Sequence, residues 1–472
     1  MTRPLSRAHS EGFLTSLALD RHRRSPMHGQ LAGRLRQLIR ERGLAAGVRL
    51  PASRRLASDL GVSRSTVTTA LEQLQAEGYV EGRRGAGVFV CAHIPDPSLK
   101  PAPQHRPAAV PPSHRPQPFQ PAAPDLDLFP HDDWARMLLR AWRDPAPELV
   151  HAGDPMGHLP LRQAIADHVA GARGIAVGPE CVAITSGGAE SVSLIVAMLL
   201  APGDRVVVEE PGYVQLNQAL GRAGAVPMPV AVDGQGLAIP DRYRAAAALV
   251  TPSRQYPLGI TMPLGRRLEL LQWAERRGAF IIEDDYDSEY RYRGSPLPAL
   301  FSLKPAAPVV YLGSFSKTMS PAMRLAYLIV PEALASRLHR LMAEIGPKAS
   351  IVPQPALAQF MSEGLYGAHI RRTRRAYARR QAVLLAALTE EASGLLRAEA
   401  EPAGMHVIAT ILKPRLSDRE AAGRAEAKGI TARALSGFYS GNPTRQGLVL
   451  GYAGFPEAAI EAGVATLVRA LA

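Results

Sequence analysis

The sequence predicts two domains of different fold class: a small α+β head near the N-terminus and a large α/β body with a mainly parallel sheet. The chain has 472 residues, more than one hydrophobic core usually organises. Prolines recur from Pro95 to Pro124, and this stretch separates an arginine-rich region from one where apolar runs alternate with helical segments. The predicted boundaries are an N-terminal extension at 1–25, the head at 26–91, a linker at 92–124 and the body at 125–472.

The first two helices of the head are predicted from apolar spacing and from capping residues. Apolar side chains recur at helical intervals from Met27 to Ile39, and Gly43 follows as a stop signal. Ser53 suits the N-cap of a second helix, and Gly61 suits the turn after it.

A third helix and a hairpin complete the predicted head. Ser63 suits the N-cap of this helix. The residues that should face the core are Val67, Leu71 and Leu74, and those left on the outer face are Arg64, Ser65 and Thr68. Two short strands joined by a glycine-rich tip are predicted for YVEGRRGAGVFV.

Positive charge is concentrated in the N-terminal region. The chain has a formal net charge of +13, and residues 1–91 hold fifteen arginines, no lysine and seven acidic residues, which leaves +8 there. Residues 92–124 add +2, so only +3 remains for the body. This asymmetry favours a polyanionic partner for the head, although an arginine-rich composition can also give a merely basic surface.

A recognition helix needs short polar or basic residues at its first turn, and these occur in RLPASRRLASDLGVSRSTVTTALEQLQAEGYVEGRRGAGVFV. Through the patterns LPxSRxLA and GVSRxTVxxAxxxLxxEG, this region resembles the winged helix-turn-helix of GntR regulators and implies binding to double-stranded operator DNA. The residues implied at the DNA are Arg54 and Arg64 at phosphates or base edges, Ser65, Thr66 and Thr68 in the groove, and Arg84 and Gly85 at the wing tip. Each arginine taken alone is also consistent with a solvated surface side chain.

The body alternates helical segments with short apolar runs, as is typical of a parallel sheet covered by helices. These runs are RVVVEE, AAAALVTP, AFIIEDD, VVYLGSFSK and LAYLIVP. Ligands of such sheets bind beyond the carboxyl ends of the strands, so the polar residues after the runs are candidates for a site. They are Tyr213, Asp284, Tyr286, Ser314, Ser316 and Lys317.

Lys317 follows an apolar run in GSFSKTMSPAMRLAYLIVP. A lysine that forms a Schiff base with an aldehyde cofactor must lie at a strand end beside a phosphate anchor, and Ser314, Ser316 and Arg324 are candidates for that anchor. A second anchor is predicted at ITSGGAES, where a strand runs through glycines into a helix whose first backbone N–H groups can bind phosphate.

Acidic and aromatic residues follow two other runs. Asp284 suits the partner of a pyridine nitrogen, because a carboxylate keeps that nitrogen protonated, and Tyr286 suits the ring hydroxyl. Asp285 and Asp287 are expected to be solvated loop acids or partners of nearby arginines. Tyr213, in EEPGY, can stack on a cofactor ring.

Residues 125–472 resemble fold type I aminotransferases, and with the head attached the chain resembles the MocR/GabR subfamily of GntR regulators. The matching motifs are GDPMGHLPLRQAIADHV, ITSGGAES, EEPGYV, TPSRQYPLG, IIEDDYDSEYR, GSFSKTMSPAMRLAYLIVP and HIRRTRRAYARR. The resemblance implies pyridoxal 5'-phosphate as cofactor, with Lys317 as its Schiff-base lysine. The other implied contacts are Asp284 at the ring nitrogen, Tyr286 at the ring hydroxyl, Tyr213 over the ring, Gly188, Ala189, Ser314, Ser316 and Arg324 around the phosphate, and Tyr256 in the pocket wall.

Two departures from the family pattern lie close to the predicted cofactor. Ala322 and Ala326 replace glycines that usually flank the phosphate arginine. Relatives have His and Thr or Ser in the phrase TPSHQYPTG, where this chain has Arg254 and Leu258.

A third departure concerns substrate recognition. Aminotransferases bind the substrate carboxylate through an arginine in a late strand, and GLVLGYA places Val449 at that position. Bidentate recognition of an α-amino acid in the usual way is therefore not predicted. Arg445 or Arg254 could replace the missing arginine, or the effector is not an α-amino acid.

The leading functional prediction is a transcription regulator, not an enzyme. An amine or amino-acid-like effector would react at the Lys317 Schiff base and change operator binding, and a residual half-reaction is allowed. The alternatives are an active aminotransferase that carries a DNA-binding module and a plain repressor whose body serves only for dimerisation. A homodimer is implied by the resemblance, because fold type I sites are usually completed across a dimer interface.

Several classes of protein are not predicted. No apolar run approaches the roughly 20 residues that a membrane-spanning helix requires, and MTRPLSRAHS lacks the apolar core of a secretory signal. Cys91 and Cys181 cannot form a disulfide framework and match no metal-ligand spacing. We expect a cytoplasmic protein without a membrane partner or a metal. The basic segment HIRRTRRAYARRQ could contact DNA or an acidic partner, but a solvated helix face is favoured.

Overall fold

The computed structural model describes residues 17, 19–20, 25–41, 43–93, 116–145, 147–149, 151, 153–295, 297–304 and 306–472. The chain divides into two compact units, Met1–Ser113 and His114–Ala472. The first contains the head and the second contains the body. Most of the predicted N-terminal extension, and residues 94–115 of the predicted linker, lie outside the described residues.

Three helices form the head: α1 (Met27–Arg40), α2 (Ser53–Leu60) and α3 (Arg64–Ala76). Helix α2 ends at Gly61, whose φ of 61° is left-handed and favours glycine. The side chain of Ser63 caps α3, as predicted, by accepting a hydrogen bond from the backbone N–H of Thr66 at 3.1 Å. The prediction for Ser53 is wrong: it is the first residue of α2, and Ala52 holds the N-cap position without a side-chain hydrogen bond.

A two-stranded antiparallel hairpin of β1 (Val80–Arg83) and β2 (Gly87–Val90) follows α3. The segment at 47–50 pairs with the hairpin, since Leu50 N–H donates to the Val88 carbonyl and Val90 N–H to the Val48 carbonyl, both at 2.9 Å. The buried core of the head includes Leu31, Leu35, Leu56, Val67, Leu74 and Val80. The predicted order of helix, helix, turn, helix and hairpin is therefore the observed one.

Eight strands form the central sheet of the body. They are β3 (Val182–Thr185), β4 (Arg205–Glu210), β5 (Val226–Asp233), β6 (Gly236–Leu237), β7 (Ala247–Val250), β8 (Phe280–Asp285), β9 (Val309–Ser314) and β10 (Ala326–Ile329). Their spatial order is β3-β10-β9-β8-β7-β4-β5-β6. The pairs from β9 to β5 are parallel, whereas β10 is antiparallel to β9 and β3, and β6 is antiparallel to β5. The predicted mainly parallel sheet is confirmed, and all five apolar runs are strands.

Ten α-helices belong to the described part of the body. They are α4 (His131–Arg143), α5 (Leu159–Arg173), α6 (Gly188–Leu199), α7 (Val214–Arg222), α8 (Leu264–Arg277), α9 (Glu332–Ile345), α10 (Gln354–Ser362), α11 (Leu365–Glu391), α12 (Asp418–Glu426) and α13 (Glu457–Leu471). Short 3-10 turns occur at Pro147–Leu149, Pro179–Cys181, Ser288–Tyr290, Leu300–Ser302, Pro321–Met323 and Leu435–Phe438. Within the described ranges, none of the helices combines the length and apolar character needed to cross a bilayer.

Helices cover both faces of the central sheet because successive strand side chains point to opposite sides. Val206 and Val208 of β4 pack in one cluster with residues of α6, α7 and α9. Val207, between them, packs in another cluster with Trp273 of α8. The strands are therefore buried on both faces, as parallel strands usually are.

A second sheet follows in the C-terminal part of the body. Its strands are β11 (Leu396–Ala398), β12 (His406–Ile411), β13 (Arg433–Ala434) and β14 (Leu448–Gly451), in the antiparallel order β11-β12-β14-β13. Residues of α11, α12 and α13 pack with it in one buried cluster. This sheet brings β13 and β14 beside the site described below.

Residues 116–124, predicted as the end of the linker, pack into the body instead. Phe119 is fully buried, and its carbonyl accepts a hydrogen bond from Gly451 N–H at 2.9 Å. The Pro118 carbonyl accepts another from Thr431 N–H at 3.0 Å. The proline content of this segment and its lack of apolar periodicity predicted a linker, but a buried aromatic ring and two backbone hydrogen bonds attach it to the body.

Candidate functional site

A cavity of about 320 Å³ lies at the carboxyl ends of β3, β8 and β9 in the body. This is the position at which sheets of this kind bind ligands, and the volume is that of a small-molecule site. All ten residues predicted to bind the cofactor line it: Gly188, Ala189, Tyr213, Tyr256, Asp284, Tyr286, Ser314, Ser316, Lys317 and Arg324. The fold thus brings together residues that are far apart in the sequence.

Lys317 lies three residues after β9 and extends into the cavity. Its Nζ donates a hydrogen bond to the Ala122 carbonyl at 3.1 Å. Burial lowers the pKa of the Lys317 ammonium, while the carboxylates of Asp287 and Asp284 act in the opposite direction. A lowered pKa increases the fraction of neutral amine, which is the form that attacks an aldehyde.

Asp284, near the end of β8, lines the cavity, as does the acidic residue Glu190 of α6. Burial raises the pKa of the Asp284 carboxyl to about 7, and the nearby Asp285, Glu209 and Asp287 add to the increase. Lys317 is the cation that opposes this shift. A carboxyl group in such surroundings favours a positively charged partner inside the cavity.

Asp285 and Asp287 are buried, so the expectation of solvated loop acids is wrong and the alternative of arginine partners is correct. The Nε of Arg173 lies 2.8 Å from Asp285 Oδ2, and the Tyr311 hydroxyl donates to the same oxygen at 2.6 Å. The Nη1 of Arg254 lies 3.6 Å from Asp287 Oδ2. These ion pairs fix the segment that follows β8.

Aromatic rings form one wall of the cavity. The ring of Tyr256 packs edge to face against Tyr213, Tyr286 and Phe438, with centroid separations of 5.5, 5.6 and 5.4 Å. The Tyr286 hydroxyl accepts a hydrogen bond from Arg254 Nη1 at 3.3 Å. Tyr213 is 37% exposed, so one side of this wall is open to a ligand.

Gly188 and Ala189, the first two residues of α6, also line the cavity. The first backbone N–H groups of a helix have no intrahelical partner, so these two can bind a phosphate. Gly187, the N-cap, has a φ of 145°, which side-chain-bearing residues rarely adopt. The Ser186 N–H is satisfied within the turn by the carboxylate of Glu190, at 2.6 Å.

Ser314, Ser316 and Arg324 line the cavity as well. The Ser314 hydroxyl accepts a hydrogen bond from Ser316 N–H at 3.1 Å. Arg324 has a left-handed φ of 52°, and its exposed side chain forms no hydrogen bond or ion pair with any described residue. Of the two alanines beside it, Ala322 is exposed and Ala326 begins β10. Hydroxyls, backbone N–H groups and a guanidinium therefore line one cavity, and together they are the donor set that a phosphate needs.

Other cavity residues were not predicted. Ala122 reaches the cavity because residues 116–124 pack into the body, and nothing in its local sequence indicates this. Gln215 and Arg222 also line the cavity. They are seven residues apart on α7 and so lie on the same face of the helix. Because α7 begins directly after Tyr213, this spacing could have predicted both residues from the sequence.

The predicted replacements for the carboxylate-binding arginine do not line the cavity. Val449 is buried in β14 and packs with Tyr256 and Phe438. Arg254 is buried, and it donates from Nη2 to the His406 carbonyl at 2.9 Å in addition to its pairing with Asp287. Arg445 is exposed and is not one of the lining residues.

The predicted DNA-contacting residues lie on the surface of the head. Arg54, Arg64, Ser65, Arg84 and Gly85 are exposed, and Thr66 and Thr68 are half-buried. Ser65 and Thr66 each share a hydrogen bond with the Ser63 hydroxyl at 2.8 Å, and the Thr68 hydroxyl donates to the Arg64 carbonyl at 3.0 Å. A hydroxyl oxygen in such a hydrogen bond retains a lone pair that can accept a further hydrogen bond from a DNA partner.

Arginines of the head divide into paired and unpaired groups. Arg36 forms two hydrogen bonds with Glu77, at 2.8 and 2.7 Å, and Arg83 pairs with Glu81. Side chains of Arg54, Arg64 and Arg84 form no hydrogen bond or ion pair with described residues of the chain. The charges of the three predicted contact arginines are thus available to a polyanion, as are those of Arg34, Arg40 and Arg49, which are also exposed and form no ion pair with described residues.

Two family models match the chain, one for each unit. Residues 28–90 match "Bacterial regulatory proteins, gntR family", and residues 129–444 match "Aminotransferase class I and II". Over 471 residues the chain is 38% identical to the probable rhizopine catabolism regulatory protein MocR of Rhizobium meliloti, covering 96% of this chain and 95% of that protein. The chain belongs to the MocR subfamily of GntR-type transcriptional regulators.

Further relatives agree with both halves of this MocR-type architecture. The pyridoxine biosynthesis regulator PdxR of Corynebacterium glutamicum is 34% identical, with coverage of 93% of this chain and 95% of PdxR. Among solved structures, the α-aminoadipate aminotransferase LysN of Thermus thermophilus matches with a TM-score of 0.67 and 29% identity, over 75% of this chain and 92% of LysN. The predicted fold classes and the prediction of a transcription regulator are confirmed.

Membership in the MocR subfamily also has two functional consequences. The GntR-type winged helix-turn-helix implies that the head binds DNA. The aminotransferase fold implies that the body binds pyridoxal phosphate.

Proposed function

We propose that this MocR-subfamily protein is a pyridoxal-phosphate-dependent regulator that senses a primary amine and changes its binding to operator DNA in response. One observation carries the proposal: Lys317, Asp284 and the phosphate donors meet in one cavity of a chain that also contains a GntR-type head. Separate from that cavity, the arginines predicted to contact DNA are exposed and unpaired among described residues.

The residues present suit this cofactor at both ends. Gly188 and Ala189 would bind its phosphate through backbone N–H groups, together with Ser314, Ser316 and Arg324. At the other end Lys317 would hold the aldehyde carbon and Tyr213 would face the ring. When bound, pyridoxal phosphate supplies an aldehyde that reacts reversibly with primary amines.

Asp284 and Tyr286 would set the proton positions around the cofactor ring. The pKa of Asp284, raised to about 7, indicates that its carboxylate lacks a sufficient positive partner. A protonated ring nitrogen would supply that partner. Arg254 Nη1 donates a hydrogen bond to the Tyr286 hydroxyl oxygen at 3.3 Å, so the hydroxyl proton of Tyr286 would be free to be donated to the ring oxygen. Tyr286 is therefore positioned before a ligand arrives, because Arg254 is itself paired with Asp287.

In the head, α3 would enter the major groove and the wing tip would contact the adjacent backbone. Arg64, at the first residue of α3, would read a base edge or a phosphate. Arg54 and Arg84 would bind phosphates on either side, with Ser65, Thr66, Thr68 and Gly85 close to the DNA. A regulator of this kind requires that the effector binds two states of the protein with different affinity.

The proposal includes a homodimer. Helix α4 exposes Leu139 and Trp142, at 54% and 49% of their surface, three residues apart on one helix face. Large apolar side chains exposed together mark a surface that another protein covers. Two heads in one assembly would suit paired half-sites in the operator.

An active aminotransferase with a DNA-binding module is the second candidate. The observation in its favour is that Lys317 and Asp284 both line the cavity, so an exchange of amino groups with the cofactor is chemically supported. The presence of Val449 where aminotransferases bind a carboxylate argues against sustained turnover of α-amino acids. Production of a keto acid over many turnovers would favour this candidate over the regulator.

A paired titration tests the proposal. Full-length protein saturated with pyridoxal phosphate is titrated with a panel of primary amines, followed by visible absorption, and each amine is then added to a DNA-shift assay. The DNA is a fragment selected by the protein from a random pool. We expect at least one amine to change both signals. Protein that takes up no cofactor, or amines that change absorption without any effect on DNA binding, would contradict the proposal.

A further inference from the structure

The sequence motif HIRRTRRAYARR has no role in the site described so far. It forms part of helix α11, from His369 to Arg380. His369, Thr373 and Tyr377 follow one another at intervals of four residues, and all three are buried. Residues four apart lie on one face of a helix, so these side chains define the buried face of the motif. The loop that carries Lys317 is one of the segments packed against this face.

Lys317 and Thr318 lie between β9 and the 3-10 turn Pro321–Met323, so their backbone carbonyls belong to neither a strand nor a helix. Thr318 is buried and Lys317 is half-buried. Among the described residues, no backbone N–H donates a hydrogen bond to either carbonyl. Buried carbonyls need a donor, so side chains have to supply it.

Two buried side chains supply these donors. The Tyr290 hydroxyl donates to the Lys317 carbonyl at 3.1 Å. Nε2 of His369 lies 2.8 Å from the Thr318 carbonyl oxygen, and because a carbonyl can only accept, Nε2 must carry the proton. Two successive carbonyls, beginning with that of Lys317 itself, are therefore each held by a separate side chain.

The surroundings of His369 maintain this tautomer. Nη2 of Arg372 lies 3.3 Å from Nδ1 of His369, and since a guanidinium can only donate, Nδ1 is an acceptor. Burial lowers the pKa of His369 to about 4; the hydrogen bond to Thr318 opposes this decrease, and the charge of Arg372 adds to it. The imidazole is therefore neutral at pH 7, with its donor directed at the Thr318 carbonyl.

Helix α11 supports Tyr290 as well as His369. The Tyr290 ring packs against that of Tyr377, with a centroid separation of 4.8 Å. Nε of Arg374 donates a hydrogen bond at 2.7 Å to the carbonyl of Glu289, the residue before Tyr290. Both donors to the backbone at Lys317 are therefore held by the same helix.

The other end of Lys317 is connected to this helix too. Its Nζ donates to the Ala122 carbonyl at 3.1 Å. Three residues later in the chain, Asp125 is buried, its Oδ2 lies 2.6 Å from Arg380 Nη2, and its N–H donates to the Tyr377 hydroxyl at 2.9 Å. Helix α11 thus fixes both the backbone from which the Lys317 side chain starts and the segment on which its Nζ rests.

We propose that His369 and Tyr290 are positioning residues for Lys317, which fix its backbone so that Nζ is presented to the aldehyde of pyridoxal phosphate. Neither side chain lines the cavity, so each would act through the lysine and not by contact with the cofactor. The inference rests on the proposed role of Lys317 in holding the cofactor.

The step that depends on this positioning is the attack of Lys317 on the aldehyde. The neutral amine adds to the aldehyde carbon, a carbon–nitrogen double bond forms, and one molecule of water leaves. A displacement of about 1 Å between reacting groups can lower a rate about 100-fold. A backbone that is no longer held at its carbonyls would therefore slow this step without closing the cavity.

The test compares the reaction at Lys317 with binding that involves no reaction. Full-length protein freed of cofactor is mixed with saturating pyridoxal phosphate, and the rate constant for the appearance of the visible Schiff-base absorption is measured by stopped flow. Calorimetry then measures the affinity for pyridoxamine phosphate. This compound has an amine in place of the aldehyde, so it occupies the same cavity but cannot form a bond with Lys317.

Three variants change the donors at the backbone. His369→Leu removes the imidazole donor at similar side-chain volume. His369→Gln keeps an N–H group that can reach the same carbonyl. Tyr290→Phe removes a single oxygen atom and keeps the ring that packs on Tyr377.

Gln381→Leu is the matched control. Gln381 is also buried on α11, and its side chain donates to the Tyr452 hydroxyl at 2.9 Å and accepts from the Glu401 N–H at 3.2 Å. The substitution therefore also removes hydrogen bonds of a buried polar side chain from this helix. None of these bonds goes to the loop that carries Lys317.

We expect His369→Leu to lower the rate constant about 10- to 100-fold and Tyr290→Phe to lower it about 3- to 10-fold. Both variants should bind pyridoxamine phosphate within about twofold of the unsubstituted protein, because the cavity is intact. His369→Gln should recover most of the rate, and Gln381→Leu should leave it unchanged. A merely structural role would lower the rate and the affinity for pyridoxamine phosphate together.

Two results would overturn the inference while the proposed function stands: rate constants of His369→Leu and Tyr290→Phe that stay within about twofold of the unsubstituted protein, or a parallel loss of pyridoxamine phosphate affinity. If His369→Leu does not fold, Tyr290→Phe decides by the same two measurements. If the unsubstituted protein itself gains no visible absorption with pyridoxal phosphate, the proposed function fails and the inference fails with it.

Discussion

The head and the body differ in whether they bury arginine. All arginines that are buried among the described residues belong to the body: Arg162, Arg173, Arg254, Arg267 and Arg380. Their guanidiniums bind carboxylates or backbone carbonyls, as when Arg267 donates to the carbonyls of Met262, Pro298 and Pro252 at 2.7 to 2.9 Å. In the head, Arg54, Arg64 and Arg84 are exposed and unpaired among described residues.

This difference shows that residue type alone does not predict what a guanidinium does. A buried guanidinium must have acceptors, so its contribution is to position acids and loops. An exposed guanidinium keeps its charge for a partner such as phosphate. In the proposed function, sensing and DNA binding are carried by separate units, and the following variants test this.

The largest expected effect is on the sensing cavity. Replacing Lys317 by alanine should remove the visible absorption of the Schiff base that the protein forms with pyridoxal phosphate before any amine is added, because the amine that holds the aldehyde is lost. Specific DNA binding should stay within about twofold of the unsubstituted protein, since the head is a separate unit. Lys348→Ala, at an exposed lysine, serves as the control. A loss of DNA binding in Lys317→Ala would show that the two units are not separable.

The next largest effect concerns a buried arginine of the body. Arg173→Met should lower the free energy of unfolding of the body by about 3–5 kcal/mol, because it leaves the buried Asp285 without its ion-pair partner at 2.8 Å. Denaturant unfolding of the full chain measures this. Arg375→Met, at an exposed arginine of α11, should change the value by less than about 0.5 kcal/mol. Equal effects of the two substitutions would remove the contrast between buried and exposed arginines.

An intermediate effect is expected on DNA affinity. Arg64→Ala should weaken binding to the selected DNA fragment by about 1–3 kcal/mol if Arg64 reads a base edge. Arg375→Ala removes an equally exposed charge from the body and should leave the affinity unchanged. The measurement is a titration of labelled DNA at two salt concentrations. Unchanged affinity in Arg64→Ala would exclude this residue from the contact surface.

The smallest expected effect is a pH dependence that differs between the units. In cofactor-free protein, Asp284 has a pKa of about 7, above its ordinary value, so the protonated form stabilises the body below pH 4 and this stabilisation is lost as the pH rises to 7. Asp284→Asn should therefore be more stable than the unsubstituted protein at pH 8, by on the order of 1–2 kcal/mol, with the gap closing near pH 4.

In the head the sign is opposite. Burial raises the pKa of Glu77, but hydrogen bonds from Arg36 and Gln73 and the charge of Arg36 outweigh it, so the pKa is lowered. The contribution of Glu77 to stability is thus lost as the pH falls through its folded pKa. Circular dichroism during denaturant unfolding between pH 4 and pH 8 checks both signs. A difference in the free energy of unfolding between Asp284→Asn and the unsubstituted protein that does not vary with pH would contradict the pKa assigned to Asp284.

Local sequence patterns were sufficient for much of the fold. Ser63 caps α3, Gly61 ends α2, and each apolar run of the body forms a strand, because these features depend on contacts between residues close in the chain. The prediction for Ser53 was wrong by one position, since Ala52 precedes the helix in an extended conformation that any residue can adopt.

The candidate site was predictable only where a motif follows a strand. Lys317, Asp284 and Tyr213 each lie within three residues of the end of an apolar strand, and the rule that ligands bind at carboxyl strand ends places them together. Ala122 and the burial of Asp287 could not be predicted this way. Each depends on a segment that is distant in sequence, the stretch 116–124 in one case and Arg254 in the other.

The sequence by itself determined the two fold classes, the charge of the head and the residue types of the cofactor site, because periodicity, composition and capping act over short distances along the chain. Only the tertiary structure decided which charges are neutralised and which remain available. It buries Arg254 against Asp287 and leaves Arg433 exposed beside Val449, although both are arginines in loops or short strands. Burial and pairing depend on what packs against a side chain, and that is set by contacts between elements far apart in the sequence.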